Sequence, residues 1–295
     1  MRYRISHVTS YEYERAVSVC YNQTRLTPCS NAQQTCIRSG FDIDPLPQAM
    51  RTHTDAFGNK VTYFEISRPH KKLTITALSE VEVSSLSQQD LFSQDLPWDR
   101  LKASLASDQD RQSTMIRDFC LPSPLVPPVP DVRDYALESF TAGRPVVEAT
   151  HELMQRIYSD FTYDPTFTTI STPLQDVLKH RKGVCQDFSH LAIGCLRSIG
   201  LPARYVSGYI ETLPAEGQEK LQGADASHAW FSLYVPGRGW IDFDPTNNML
   251  AGDQHIMVAQ GRDFADVTPV KGVIFGGGNH ELAVAVDVRR EVTNL

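Results

Sequence analysis

Long apolar runs are missing from this 295-residue chain, and no stretch approaches the roughly 20 apolar residues a membrane-spanning helix needs. Positive charge is in short supply as well. Lys and Arg number 28 against 35 Asp and Glu, giving a formal net charge of -7 and a pI near 5.7. A nucleic-acid role would need a local basic patch, and the sequence offers none. The opening segment "MRYRISHVTSYEYE" has neither the apolar run nor the small-residue cleavage site of a leader, so the expectation is a cytoplasmic protein without membrane contact. None of the six cysteines forms a CxxC pair, which argues against zinc and thioredoxin-like sites and for free thiols. Neither metal nor cofactor is expected. There is no internal repeat and no long low-complexity tract.

What is present is an ordinary globular composition, 41% hydrophobic, in a chain long enough to bury a full core. "YRISHVTSYEYE", "GFDID", "NKVTYFEI" and "KLTITALSEVEVSS" alternate β-branched and aromatic residues with polar ones, and "DAFGN" has hairpin-turn chemistry,. Residues 1–90 are therefore expected to form a small all-β domain. The composition then shifts to "SSLSQQDLFSQD" and "LPSPLVPPVPDV", and prolines of that density end helices and central strands. Residues 91–130 read as a connection with one helix at "DRLKASLAS". From Asp131 the period becomes helical, through "VRDYALESF", "VVEATHELMQRIYSDF" and "TPLQDVLKHR",. The strands "ARYVSGYIET", "SHAWFSLYV", "GWIDFD" and "ELAVAVDVRRE" follow. Residues 131–295 are thus expected to be helices followed by antiparallel strands, an α+β core.

Within that core, "RKGVCQDFSHLAIGCLRSIG" places apolar residues Phe188, Leu191, Ala192, Cys195, Leu196 and Ile199 at helical spacing, with Gly200 and Pro202 as a stop,. Cys195 lies deep in the stripe and reads as a small core residue. Cys185 falls in the first turn, where unpaired N–H groups and the helix dipole favour a thiolate. A lone cysteine there reads more readily as packing than as chemistry. A nucleophile needs a base, and His190 is the nearest in sequence. Five residues at roughly 100° each carry it about 140° around the helix from Cys185, so the base must come from another element.

His228 belongs to "ASHAWFSLYV", where it shares a strand face with Trp230, Ser232 and Tyr234. The next strand, "GWIDFDPTN", puts Trp240, Asp242 and Asp244 on one face. A three-residue hairpin loop sets Asp244 opposite Trp230 and diagonal to His228, within reach of an imidazole. A two-residue loop puts them on opposite faces. Taken singly, His228 reads as a strand histidine satisfied by a carbonyl, and Asp244 before Pro245 as a turn residue.

Together, "GVCQDFSHLAIGCLRSIGLPARYVSGY" and "DASHAWFSLYVPGRGWIDFDPTNN" resemble the transglutaminase-like superfamily, in particular its bacterial branch described as cysteine proteases. The match covers roughly residues 150–295, and the β unit before it resembles that branch's accessory domain. The resemblance implies a papain-like/transglutaminase-like core, in which a helix-start cysteine on an antiparallel sheet faces a histidine and an aspartate. Carried onto this sequence, those are Cys185, His228 and Asp244. The "DPTN" context favours Asp244 over Asp242 as the orienting carboxylate. The calcium signature of the animal enzymes and the CxxC pairs of the peptide N-glycanase branch are missing. "RKGVC" replaces the Arg-Gly-Gly run of arylamine acetyltransferases, so no substrate carries over from those branches.

What the resemblance implies chemically is acyl transfer on an amide or peptide bond through a thioester. Hydrolysis by a peptidase or amidase is the leading expectation, transfer to an amine the alternative, and a non-catalytic protein-binding module the reading from another class. Tyr163 in "FTYDP" and Trp230 are candidates for the oxyanion or substrate cleft, although both also suit packing. Trp240 reads as core or cleft wall. "FGGGN" lacks the Lys-Ser/Thr of a phosphate loop and reads as a turn. The expected partners are a peptide or protein amide substrate and a protein docked on the β domain.

Overall fold

The computed structural model describes residues 1–84, 92–93, 95–107, 111–169, 171–212 and 225–291. Two antiparallel sheets organise it. The first is built on β1 (Arg2–Thr24), β2 (Gln34–Asp44), β3 (Ala49–Thr54), β4 (Lys60–Ile66) and β5 (His70–Val83), in the order β2-β5-β1-β4-β3. Alternation drives it: Tyr3, Ile5, His7 and Thr9 point inward and are buried, as a period of two requires. The register shift between Glu12 and Val17 bends β1, so its far half packs Val17 and Cys20 into a separate cluster with Phe64 and Ile75.

A helical layer follows. It comprises α1 (Trp98–Ser107), α2 (Arg111–Arg117), α3 (Pro130–Leu137) and α4 (Val146–Asp160), then the short strand β6 (Thr162–Tyr163), α5 (Leu174–His180), β7 (Lys182–Gly183) and α6 (Cys185–Ser198). The helix expected at "DRLKASLAS" is α1. The Ser/Gln-rich stretch expected to start the connection lies largely outside the described residues. Helix α6 is the central one, packed against α3, α4 and α5. Its apolar stripe, Cys195 included, is buried.

The second sheet contains β8 (Ala203–Ile210), β9 (Ser227–Val235), β10 (Gly239–Asp244), β11 (Met249–Leu250) and β12 (His255–Gly261), in the order β11-β10-β9-β8-β12. Ala229, Phe231, Leu233 and Phe243 face the helices and complete the main core. After the short helix α7 (Phe264–Val267), the chain forms β13 (Val270–Gly276) and β14 (His280–Arg290).

These last two strands correct the expected domain boundary. The stretch "ELAVAVDVRRE" does not extend the core of residues 131–295. Strand β14 pairs with β1 from Tyr3↔Arg290 to Tyr13↔His280, and β13 pairs with the far end of β1. Their alternation marks them as strands, but nothing in a period of two says which sheet they join. The β unit is therefore made from both ends of the chain. "FGGGN" is the turn between them, with Gly276, Gly277 and Gly278 all at positive φ.

Candidate active site

The site forms where the start of α6 meets the start of β9. Val184 N–H donates to Asp187 Oδ2 at 2.8 Å, a side-chain cap on the first turn of α6 that fixes the approach to Cys185. Cys185 follows as the first helical residue, and its amide belongs to the first turn, whose N–H groups have no intrahelical acceptor. The thiol is half-buried and lies within hydrogen-bonding reach of the His228 imidazole.

The hairpin settles the parity question. Pro236, Gly237 and Arg238 form a three-residue loop, closed by Arg238 N–H on the Val235 carbonyl at 3.0 Å. Gly237 and Gly239 have φ of 77° and 80°, conformations that a side chain strains. With Phe243 opposite Phe231, Asp244 comes opposite Trp230 and beside His228. His228 Nε2 meets Asp244 Oδ2 at 2.7 Å.

Asp244 is fully buried and heavily solvated by protein groups. Its Oδ1 accepts the Thr246 and Asn247 backbone N–H groups at 3.0 and 3.3 Å, and its Oδ2 accepts Asn247 Nδ2 at 2.7 Å. Burial alone raises a carboxyl pKa, yet the hydrogen bonds from His228, His255 and Asn247 overturn that and hold Asp244 far below the usual range,. Burial likewise lowers the pKa of His228, but Asp244 and Cys185 reverse it and carry it to about 10. A buried imidazolium held between a carboxylate and a thiol is the electrostatic outcome.

The remaining candidates separate. His190 points away from Cys185, as its angle on the helix requires; its Nε2 accepts Phe264 N–H at 3.1 Å and its ring packs on Tyr205. Asp242 shares the face of Asp244 but turns to the buried Arg204 at 3.7 Å and to Ser232. Tyr163 is brought to the site by the parallel β6–β7 pair, opposite Gly183. It is 54% exposed, and its phenol pKa is raised by burial and then by Cys185 and Asp187. Trp230 departs from the cleft expectation: it is 1% exposed and packs at the rear of the site, 6.1 Å from the His228 ring and 5.2 Å from His255. A residue in mid-strand under two imidazoles has no open surface to offer a substrate.

Two residues at the site escaped the sequence reading. Asn247 had a signal, since an Asn three positions after Asp244 in a turn commonly caps it. His255 had none, because it sits on β12, which is not a neighbour of β10 in the sheet. Gly208 helps bring it in. A Cβ there would fall 2.1 Å from the Ile256 carbonyl and 2.6 Å from the Trp230 ring, so only glycine allows β12 this close. His228, Asp244 and His255 place three potential ligand atoms within 4.8 Å of one another. In the hydrogen-bonded arrangement described, both imidazoles instead engage the carboxylate directly.

Comparison with known proteins agrees with this architecture. Residues 3–82 match the family model for the bacterial transglutaminase-like N-terminal region, and residues 133–245 match that of the transglutaminase-like superfamily. An uncharacterised protein of Mycobacterium tuberculosis (strain H37Rv) is 42% identical over 97% of this chain and 92% of its own length. A protein-glutamine gamma-glutamyltransferase of Pseudomonas aeruginosa is 32% identical over 32% of this chain and 15% of its own. A Cytophaga hutchinsonii crystal structure, described as a candidate cysteine protease, superposes with a TM-score of 0.77 at 20% identity, covering 100% of this chain and 92% of that one.

Proposed function

This chain belongs to the transglutaminase-like superfamily, and from that premise we propose that it catalyses cysteine-dependent acyl transfer on amide or peptide bonds, with Cys185, His228 and Asp244 as its triad. The single observation carrying the proposal is the line from the helix-start thiol through the buried His228 imidazole to the Asp244 carboxylate. Cys185 gives its thiol proton to His228, and the resulting thiolate attacks the carbonyl carbon and forms the C–S bond. The C–N bond then breaks, and the amine leaves with the proton from His228. Asp244 keeps the imidazole in register and stabilises its cationic form. The Cys185 amide at the helix start supplies one oxyanion donor, an interaction typically worth about 3 to 4 kcal/mol. Tyr163, paired opposite Gly183 two residues before Cys185, is a candidate for the cleft wall.

Water as the acyl acceptor is the favoured reading, giving a peptidase or amidase. Amine transfer depends on keeping water from the thioester, whereas Cys185 is only half-buried and Tyr163, opposite Gly183, is largely exposed. The partial match to a protein-glutamine gamma-glutamyltransferase favours the second reading, transfer to an amine. Wild type and Cys185→Ala incubated with a peptide library, with and without added amine and analysed by mass spectrometry, separate these outcomes. Cleavage by wild type alone supports hydrolysis, and amine-adducted glutamine supports transfer. Inactivity of the wild type, or equal activity of both proteins, removes the proposal in favour of a binding module.

A further inference from the structure

We infer that His255 is a positioning residue for Asp244, a second imidazole held as the neutral Nε2–H tautomer that donates to the same carboxylate oxygen as His228. The inference deepens the acyl-transfer reading of Cys185, His228 and Asp244 and rests on it. His255 is buried, and both its ring nitrogens are committed. Gly252 N–H lies 3.2 Å from Nδ1. A backbone N–H can only donate, so Nδ1 carries a lone pair and the ring proton sits on Nε2. That nitrogen is 3.1 Å from Asp244 Oδ2, and the donor therefore faces the acceptor.

The ring is held in place. Trp230 meets it edge-on at an interplanar angle of 82°. The groups facing His255 are Asp244, the His228 ring 6.2 Å away and this indole. Oδ2 thus takes three side-chain donors, from His228, Asn247 and His255. The Asn247 amide and the two backbone N–H groups belong to the turn that follows Asp244. His255 is different, because it ties the carboxylate to a separate strand. It fixes where Oδ2 points when a charged imidazole is its neighbour. The carboxylate consequently has two histidines of opposite assignment, His228 as the proton carrier and His255 as the fixed donor.

The test uses the full chain and begins without any substrate. Imidazole nitrogen–proton NMR of the wild type should find the His255 ring proton on Nε2, facing Asp244, with Nδ1 accepting from Gly252, while His228 carries protons on both nitrogens near neutral pH,. A neutral His255 ring with its proton on Nδ1 and a bare Nε2 overturns the inference. Next, His255→Gln retains an N–H donor near the position of Nε2, and His255→Phe keeps the shape without a donor. Iodoacetamide alkylation of Cys185 near pH 6 should be about tenfold slower in His255→Phe and within about threefold of wild type in His255→Gln; with an amide substrate, kcat should fall while KM holds. A folded His255→Phe that alkylates at the wild-type rate, or equal losses in both variants, also overturns it. If the wild-type thiol reacts no faster than a model thiol, the triad reading fails instead, and the NMR measurement still reports on His255 independently.

Discussion

Asp242 and Asp244 lie two residues apart on one strand face and yet have different work, because each meets a different cation. Asp244 meets His228 at 2.7 Å in a fully buried position, whereas Asp242 belongs with Arg204, whose guanidinium also donates to Ser232 and stacks 4.5 Å over Trp240. Asp244→Asn should therefore lower kcat/KM by about 10²-fold or more, and Asp242→Asn should leave it within about threefold while costing some stability. Equal losses in equally folded variants would assign the orienting carboxylate wrongly. The same pair sets the alkaline limit. With its pKa raised to about 10, His228 remains protonated through neutral pH, and its contribution to folding is complete below the ordinary histidine range and lost as pH rises through about 10,. Activity should fall on that alkaline limb, where the imidazole can no longer protonate the leaving amine. Removing the Asp244 charge should move the limb to lower pH, which a kcat/KM profile of the asparagine variant reads directly.

At the level of elements, the site depends on two close approaches that no single strand supplies. One is the hairpin loop of odd length, which sets His228 and Asp244 on the same face. The other is the packing of β8 beneath Trp230 and beside β12, where Gly208 lies opposite His228. Gly208→Ala would push a methyl against the Ile256 carbonyl, which is backbone and cannot rotate away. The expected cost is about 1 to 3 kcal/mol of stability, together with reduced activity as Trp230 and the two histidines shift. Denaturant unfolding and alkylation of Cys185 measure both, and an unchanged variant would mean that β12 approaches less closely than described.

Across the whole molecule, the β unit and the transglutaminase-like core share a buried seam. Tyr3, Ile5, Val81 and Val83 from the first sheet pack with Tyr209, Ile256 and Val258 from the second, and Val286 and Val288 of β14 close the cluster. Arg290 reinforces it by reaching Glu211 and the Tyr3 hydroxyl. A fragment of residues 131–295 would expose the β8–β12 side of this seam and leave β14 without β1. It should therefore be insoluble or unfolded where the full chain is not, and soluble expression with a cooperative melt would contradict the shared core.

The local patterns in the sequence determined the helix that begins at Cys185, the strand faces that carry His228 and Asp244, and the alternation of the β unit, because periods of 3.6 and 2 are properties of the chain itself. They also sent His190 away from Cys185 by simple rotation. Tertiary structure decided which loop parity the hairpin took and which sheet β14 joined. It also decided which cation Asp242 found, that Tyr163 lies opposite Gly183, and that Trp230 is buried against His228 and His255. His255 shows why. Its pairing with Asp244 spans strands that are not neighbours in the sheet, and periodicity says which face a side chain takes but never which distant strand will lie across from it.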